Sequence, residues 1–309
     1  MLVFILRKTL RALLTMFLVV TFTFLILRIS GDPTEVMFSD DVPQEVKDAY
    51  RTAWGLDRPL PEQFAKYLIS VGHGDLGYSF RDSRPALEVV TERIPATLRL
   101  GLCSFALSVC LGIPLGLCAA FRRNTFLDRL ATSVSVMGYS MPNFFLGILL
   151  ILLFSLKLRL LPSSGSATPE HLIMPVITLG TATAGIVARF TRTAVLDVLG
   201  QPFVTAARAK GLSMPRLIFG HVLPNAAIPV ITVLGLQLGA VIGGALVTET
   251  VFAWPGIGRL LVQSVNYRDL AVVQTIVLII AASMIVCNLL VDMAYGWLDP
   301  RIRSEKRGN

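Results

Sequence analysis

The chain has 309 residues, is 54% hydrophobic and only 16% charged. Soluble globular domains carry about a quarter charged residues, so composition excludes an ordinary water-soluble domain and points to lipid as part of the solvent. A formal net charge of +8 would direct a soluble protein toward nucleic acid; here the placement of the charge decides, and it leaves nucleic acid no role.

The apolar residues are gathered into runs. Arg7, Lys8 and Arg11 precede an uncharged stretch from Ala12 to Leu27. Further uncharged runs cover Leu100–Phe121, Leu130–Leu156, Leu172–Ala188, Val222–Thr248 and Leu270–Val291. A hydrocarbon core of about 30 Å needs about 20 helical residues. The first run reaches that length as Thr9–Ile29 if Arg11 snorkels to the headgroups. Each span must satisfy its own backbone, and barrel strands would be short and strictly alternating, so the spans are helices. The expectation is an all-α polytopic membrane protein with six transmembrane helices. The first run lacks a small-x-small site at Arg28-Ile29-Ser30-Gly31-Asp32 and is read as a retained span.

Between the first two spans, Val42, Val46, Ala49, Tyr50 and Ala53, then Leu60, Phe64, Tyr67, Leu68 and Val71, recur at helical spacing. Pro43 and Pro61 fit first turns, and Gly55 and Gly72 fit helix ends. A Gly-rich turn, Gly72–Gly77, and a third short helix over Pro85–Arg93 complete the segment. Glycines four apart, Gly112 and Gly116 in the second span and Gly235, Gly239 and Gly243 in the fifth, predict close helix approach. The spacing leaves open whether the partner helix is in this chain or another. Cys103, Cys110, Cys118 and Cys287 lie in apolar runs and are read as small buried hydrophobes. Asn143 after Pro142 in the third span is either a pore-lining amide or a kink marker, and Gln237 in the fifth lines a path or bridges helices.

Orientation follows from Lys and Arg. Arg7, Lys8, Arg11, Arg122, Arg123, Arg129, Arg189, Arg192, Arg208, Lys210, Arg216, Arg301, Arg303, Lys306 and Arg307 all fall on one side of a six-span topology. The short opposite loops hold only Lys157, Arg159, Arg259 and Arg268. The basic side is cytoplasmic, so both termini face inward and Ser30–Arg99 lies outside. Arg189 and Arg192 are read as simple positive-inside anchors.

Between the fourth and fifth spans, Pro202 can open a helix continuing through Phe203–Lys210. Gly211 ends it, Pro215 blocks extension, and Leu223-Pro224 restarts helix into the fifth span. Two turns are not stable alone, so this helix needs a groove to dock in, and Ala206 and Ala207 are small enough to sit deep in one.

Several classes are disfavoured. No Gly-Lys dipeptide occurs, so no Walker phosphate loop is present. His73, His171 and His221 are the only histidines, and none opens a His-Glu-x-x-His motif, so neither a metal site nor an intramembrane enzyme is expected. A proton-coupled transporter would carry ionisable residues inside its spans, whereas Glu249 and Asp292 stand at span ends.

Thr205-Ala206-Ala207, Gly211 and Leu223-Pro224 resemble the "EAA" loop of membrane subunits of binding-protein-dependent ABC importers, with Thr205 in place of Glu and His221 in place of an aliphatic residue. Gly55-Leu56-Asp57-Arg58-Pro59-Leu60, Gly74-Asp75-Leu76-Gly77-Tyr78-Ser79, Thr205–Gly211, Glu249 through Gly258 and Asp299-Pro300-Arg301 resemble the dipeptide, oligopeptide and nickel branch. The resemblance runs from about Leu2 to Arg303. It implies a type I importer permease fold: 1–29 with the first span, a periplasmic segment 30–97, a transmembrane domain 98–296 containing a coupling loop 200–224, and a cytoplasmic tail 297–309. It implies a bacterial inner membrane, a second permease, two ATP-binding subunits that carry ATP and Mg, and a periplasmic binding protein. This chain itself would bind no cofactor. Thr205, Ala206, Ala207, Arg208, Lys210, Gly211, Leu223 and Pro224 would couple to the ATPases. Glu249, Trp254, Pro255 and Gly256 would form an outer loop touching the binding protein or pore mouth. Peptides and nickel complexes remain alternative substrates, and a membrane scaffold protein is the non-transport alternative.

Overall fold

The computed structural model describes residues 2–29, 34, 42–241, 243 and 245–298. The expected ending Asp299-Pro300-Arg301 and the basic tail lie outside them. In chain order the helices are α1 (Leu2–Ile29), α2 (Gln44–Trp54), α3 (Leu60–Gly72), α4 (Ala86–Thr91), α5 (Ile94–Phe121), α6 (Phe126–Ser140), α7 (Asn143–Leu150), α8 (Ile173–Leu199), α9 (Pro202–Ala209), α10 (Met214–Leu217), α11 (Leu223–Gly239), α12 (Leu246–Val251), α13 (Ile257–Asn266) and α14 (Leu270–Leu298). Two-residue strands β1 (Tyr78–Ser79) and β2 (Arg84–Pro85) form an antiparallel hairpin, with Tyr78 opposite Pro85. Among the described residues five helices are long and apolar enough to cross a membrane, and α6 with α7 makes a sixth span if that bent pair is counted as one.

The bend in the third span is 98°, and its cause is local. Met141 precedes Pro142 and is driven out of helical geometry to ψ 123°. Pro142 has no N–H to continue the ladder, so its carbonyl starts α7 instead, accepting from Phe145 N at 3.0 Å. Ile151–Lys157 extends α7 as a π-helix.

Two compact units are present, one drawn from residues 1–95 and 256–285, the other from 96–255 and 286–309. In the first, Phe24 of α1 packs on Phe64 and Tyr67 of α3, with ring centroids 5.2 and 5.5 Å apart. Gly55 ends α2 at φ 68°, a left-handed value glycine adopts without strain. Gly72, by contrast, is the last residue of α3 rather than its stop, and the left-handed residue is Gly74.

In the second unit α8 is the hub, and glycines set its distances. A Cβ on Gly112 of α5 would stand 2.7 Å from Val187 Cβ, and one on Gly116 would stand 2.5 Å from the Ala188 carbonyl. On the other side, a Cβ on Gly185 would meet the Ser135 carbonyl of α6 at 2.3 Å. The glycine pair of the second span therefore serves packing within this chain. The fifth-span series is divided: α11 stops at Gly239, which faces Cys287, and Gly243 lies in the turn beyond. Cys110 and Cys118 are exposed and Cys103 and Cys287 half-buried, against the expectation of burial. A helix face toward lipid has no water to exclude, so apolar side chains are stable there.

Candidate functional site

The connection between the fourth and fifth spans is built as a short helix with two unlike faces. Pro202 occupies the first turn of α9, where a missing N–H costs nothing. The helix ends in a Schellman motif: Leu212 N donates to Ala207 O at 3.3 Å and Gly211 N to Arg208 O at 2.9 Å. Gly211 has φ 76°, and a Cβ there would meet nothing within 4 Å. The position requires glycine for its backbone angle, not for space. Val204 is 1% exposed and packs with Ala120, Val195, Leu217 and Val222, and Ala207 packs on the same cluster. Ala207 is half-buried against its own chain, on the Val204 side of a two-turn helix. Phe203, Thr205, Ala206, Arg208 and Lys210 are exposed.

Helix resumes earlier than expected. Ser213 caps α10 and Pro215 sits in its first turn, where it starts helix instead of blocking it. Leu223 and Pro224 then fall inside a continuing helix. Pro224 has no N–H for the preceding turn; Ile218–Val222 widens to a π-helix there, and Asn225 Nδ2 donates to His221 O at 2.7 Å.

Asn143 and Gln237, far apart in sequence, line one cavity of about 240 Å³ together with Ser104 and Thr183. Asn143 stands there because the break at Pro142 makes it the first residue of α7. Every polar group in the lining is a hydroxyl, a carboxamide or backbone. Ser104 is 3% exposed and its Oγ has no partner among the described residues. A single serine in an apolar run carries no periodic signal, and sequence reasoning passed over it.

The loop expected on the outer side differs in its burial from expectation. Glu249 is 0% exposed and accepts from Thr97 Oγ1 at 2.7 Å. Trp254 is 1% exposed, its Nε1 donating to Ala96 O at 2.9 Å, and it packs with Leu100 and Ala245. Pro255 is half-buried, and Gly256 caps α13 in extended backbone. Glu249 and Trp254 are buried anchors of their unit rather than exposed loop residues. The short helix α12 folds back into the unit, with Val251 and Phe252 against Gly147 of α7, and carries both residues inward.

Arg192 is more than a topology anchor. Its guanidinium grips Asp128 through Nε at 2.8 Å and Nη2 at 3.0 Å, tying α8 to the start of α6. Asn124 N also donates to that carboxylate at 2.9 Å. Arg189 instead lies over the Tyr139 ring, 5.2 Å from its centroid.

Apolar helices of membrane-spanning length, one of them broken at a proline so that an amide lines an uncharged polar cavity, are the parts of a polytopic membrane protein. The family model for binding-protein-dependent transport system inner membrane components matches residues 112–304, and the model for the N-terminal part of such membrane components matches residues 1–101. The glutathione transport system permease protein GsiC of Escherichia coli K12 is 40% identical over 304 residues, covering 98% of this chain and 99% of that protein. The dipeptide transport system permease protein DppB of the same strain is 38% identical, covering 99% of this chain and all of that protein. In fold, the chain is similar to the inward-facing MetNI methionine ABC transporter, with a TM-score of 0.57 and 19% identity over 68% of this chain and 96% of that one. The chain belongs to the family of binding-protein-dependent transport system inner membrane components, the permeases of ABC importers.

Proposed function

We propose that this chain pairs with a second permease to pass a short peptide delivered by a periplasmic binding protein, while separate subunits docked at α9 bind and hydrolyse ATP. Positive-inside placement then sets both termini and α9 in the cytoplasm. The exposed face of α9, with Phe203, Thr205, Ala206, Arg208 and Lys210, is the surface on which ATPase closure acts, shifting the permease between inward- and outward-facing states.

The observation that carries the peptide reading is the uncharged cavity holding Asn143, Gln237 and Ser104. Carboxamides and hydroxyls pair with peptide N–H and C=O groups as donors and acceptors alike. Relatives that transport glutathione and dipeptides support the same class. Transport of a nickel ion or chelate would favour carboxylate, imidazole or thiolate donors along the path, and the lining supplies none of these. The test is uptake by the reconstituted importer carrying Gln237→Leu or Asn143→Leu. Peptide uptake is expected to fall about tenfold per lost buried hydrogen bond, while loaded binding protein still stimulates ATP hydrolysis. Unchanged peptide uptake in both variants, or nickel uptake that peptides do not compete with, contradicts the reading.

A further inference from the structure

The segment between α1 and α5 lines a cavity together with residues 268–274, and neither α9 nor the cavity of Asn143 and Gln237 shares in it. It measures about 490 Å³, within the range of small-molecule sites. Gln63, Lys66, Tyr67 and Ser70 present one face of α3 to it, and Asp75 and Arg268 also line it. Its walls are fixed by long-range contacts. Ser79 Oγ donates to the buried carboxylate of Asp269. The Arg81 guanidinium lies 4.0 Å from the centre of the Tyr267 ring.

Two polar groups in this cavity are left over. Gln63 is 8% exposed, and its Nε2 donates to Leu56 O at 3.0 Å and Arg58 O at 2.6 Å. That use of the amide nitrogen fixes Oε1 as an acceptor, and Oε1 has no partner among the described residues. Tyr67 Oη is buried beside the Gln274 side chain and makes no hydrogen bond of good geometry among the described residues. Burial pushes its phenol up to about 12, with the Gln274 side chain drawing it partly back, so the hydroxyl keeps its proton. A buried orphan acceptor is costly unless something meets it. Around this floor stand two cations, Lys66 and Arg268, and two carboxylates: Asp75, whose Oδ1 accepts from Gly77 N at 3.0 Å, and the buried Asp269, already engaged by the Ser79 hydroxyl. A small molecule with an amide N–H, a carbonyl, one ammonium and one carboxylate matches all of these groups.

We propose that this cavity is a second binding site for a short zwitterionic peptide, separate from the cavity of Asn143 and Gln237. The choice of ligand rests on the peptide reading above. The site reads the two charged ends of the ligand through Lys66, Arg268 and Asp75, and its amide through Gln63 and Tyr67. The transmembrane cavity reads no charge.

The experiment uses the complete membrane complex in phosphatidylcholine nanodiscs, without nucleotide or binding protein. Radiolabelled alanyl-alanine is titrated by equilibrium dialysis. A site that survives Gln237→Leu is expected. Lys66→Glu, at an exposed position, should weaken that site about tenfold or more, the worth of one charge-assisted hydrogen bond. Gln63→Leu should weaken it similarly, and the uncharged N-acetyl dipeptide amide should bind it equally poorly. Wild-type affinity in Lys66→Glu, or equal binding of the uncharged peptide, overturns the proposal. So does loss of peptide binding when phosphatidylethanolamine enters the nanodisc, which would assign the cavity to a lipid headgroup. Uptake of the same peptide, measured after adding binding protein and ATP, separates the two claims. Uptake without the Lys66-sensitive site overturns this inference alone. Lys66-sensitive binding without any peptide uptake supports the site and overturns the peptide reading.

Discussion

Gly211 offers a sharp test of the coupling helix, because the structure separates two reasons for a glycine. Its φ is 76°, yet a Cβ would meet nothing within 4 Å. A side chain therefore costs backbone strain and nothing else. For an ordinary L-residue the left-handed region costs about 1–2 kcal/mol, and a β-branched one fares worst there. That is about a 5- to 30-fold shift in any equilibrium that needs the native turn. Asparagine tolerates the same region. Gly211→Val should leave insertion intact, since the position lies between spans, but should lower ATPase co-purification and uptake by about that factor. Gly211→Asn should stay near wild type. Expression, ATPase co-purification and uptake in proteoliposomes are measured for both. Equal behaviour of Val and Asn would refute the strain argument, and normal transport by both would make residues 200–224 a plain connector.

Other outcomes follow from the same contacts. Ala206→Trp, on the exposed side of α9, should disrupt ATPase docking with little change in thermal stability. Ala207→Trp, packed against the Val204 cluster, should cost about 1–3 kcal/mol of permease stability; thermal unfolding in detergent distinguishes the two. Removing the carboxylate in Asp128→Asn should destabilise the α6–α8 junction by about 2 kcal/mol, less than a fully buried pair because Arg192 is part-exposed, and Arg192→Lys should not restore it because the grip is bidentate. Trp254→Phe should strand the Ala96 carbonyl and cost about 1–3 kcal/mol, read as a lower unfolding temperature, without weakening capture of the binding protein. Cysteines at Ser83 and Ser213 in a background without native cysteines should label from opposite sides of sealed spheroplasts, and labelling from the same side would contradict the six-span topology.

Sequence patterning carried the spans, since a helix in lipid must be long and apolar in one uninterrupted run. It also carried the left-handed turn at Gly211, and it held a kink at Pro142 as one of two readings, because glycine and proline impose backbone geometry wherever they stand. The side chains that face inward were less legible. Glu249 and Trp254 look like an exposed loop because charge, tryptophan and Pro-Gly adjoin; their burial depends on α12 folding back into the unit, a tertiary event with no local signature. Ala206 and Ala207 are alike in sequence and differ only in which side of a two-turn helix meets Val195 and Leu217. Asn143 and Gln237 were visible as isolated amides, but that they share one cavity with Ser104 depends on how the helices pack. The β1–β2 hairpin has two-residue strands, too short for any alternation to be read.

The central claim is that this permease is driven by ATP hydrolysed on other subunits. The most direct measurement is peptide uptake into proteoliposomes holding this chain, its partner permease, the ATPases and the binding protein. Uptake is expected only with all components and internal-face ATP, to persist when a protonophore collapses the proton gradient, and to vanish when the ATPases are omitted, while the isolated chain hydrolyses no ATP. Uptake that survives omission of the ATPases and collapses with the proton gradient, or ATP hydrolysis by the purified chain alone, would contradict it.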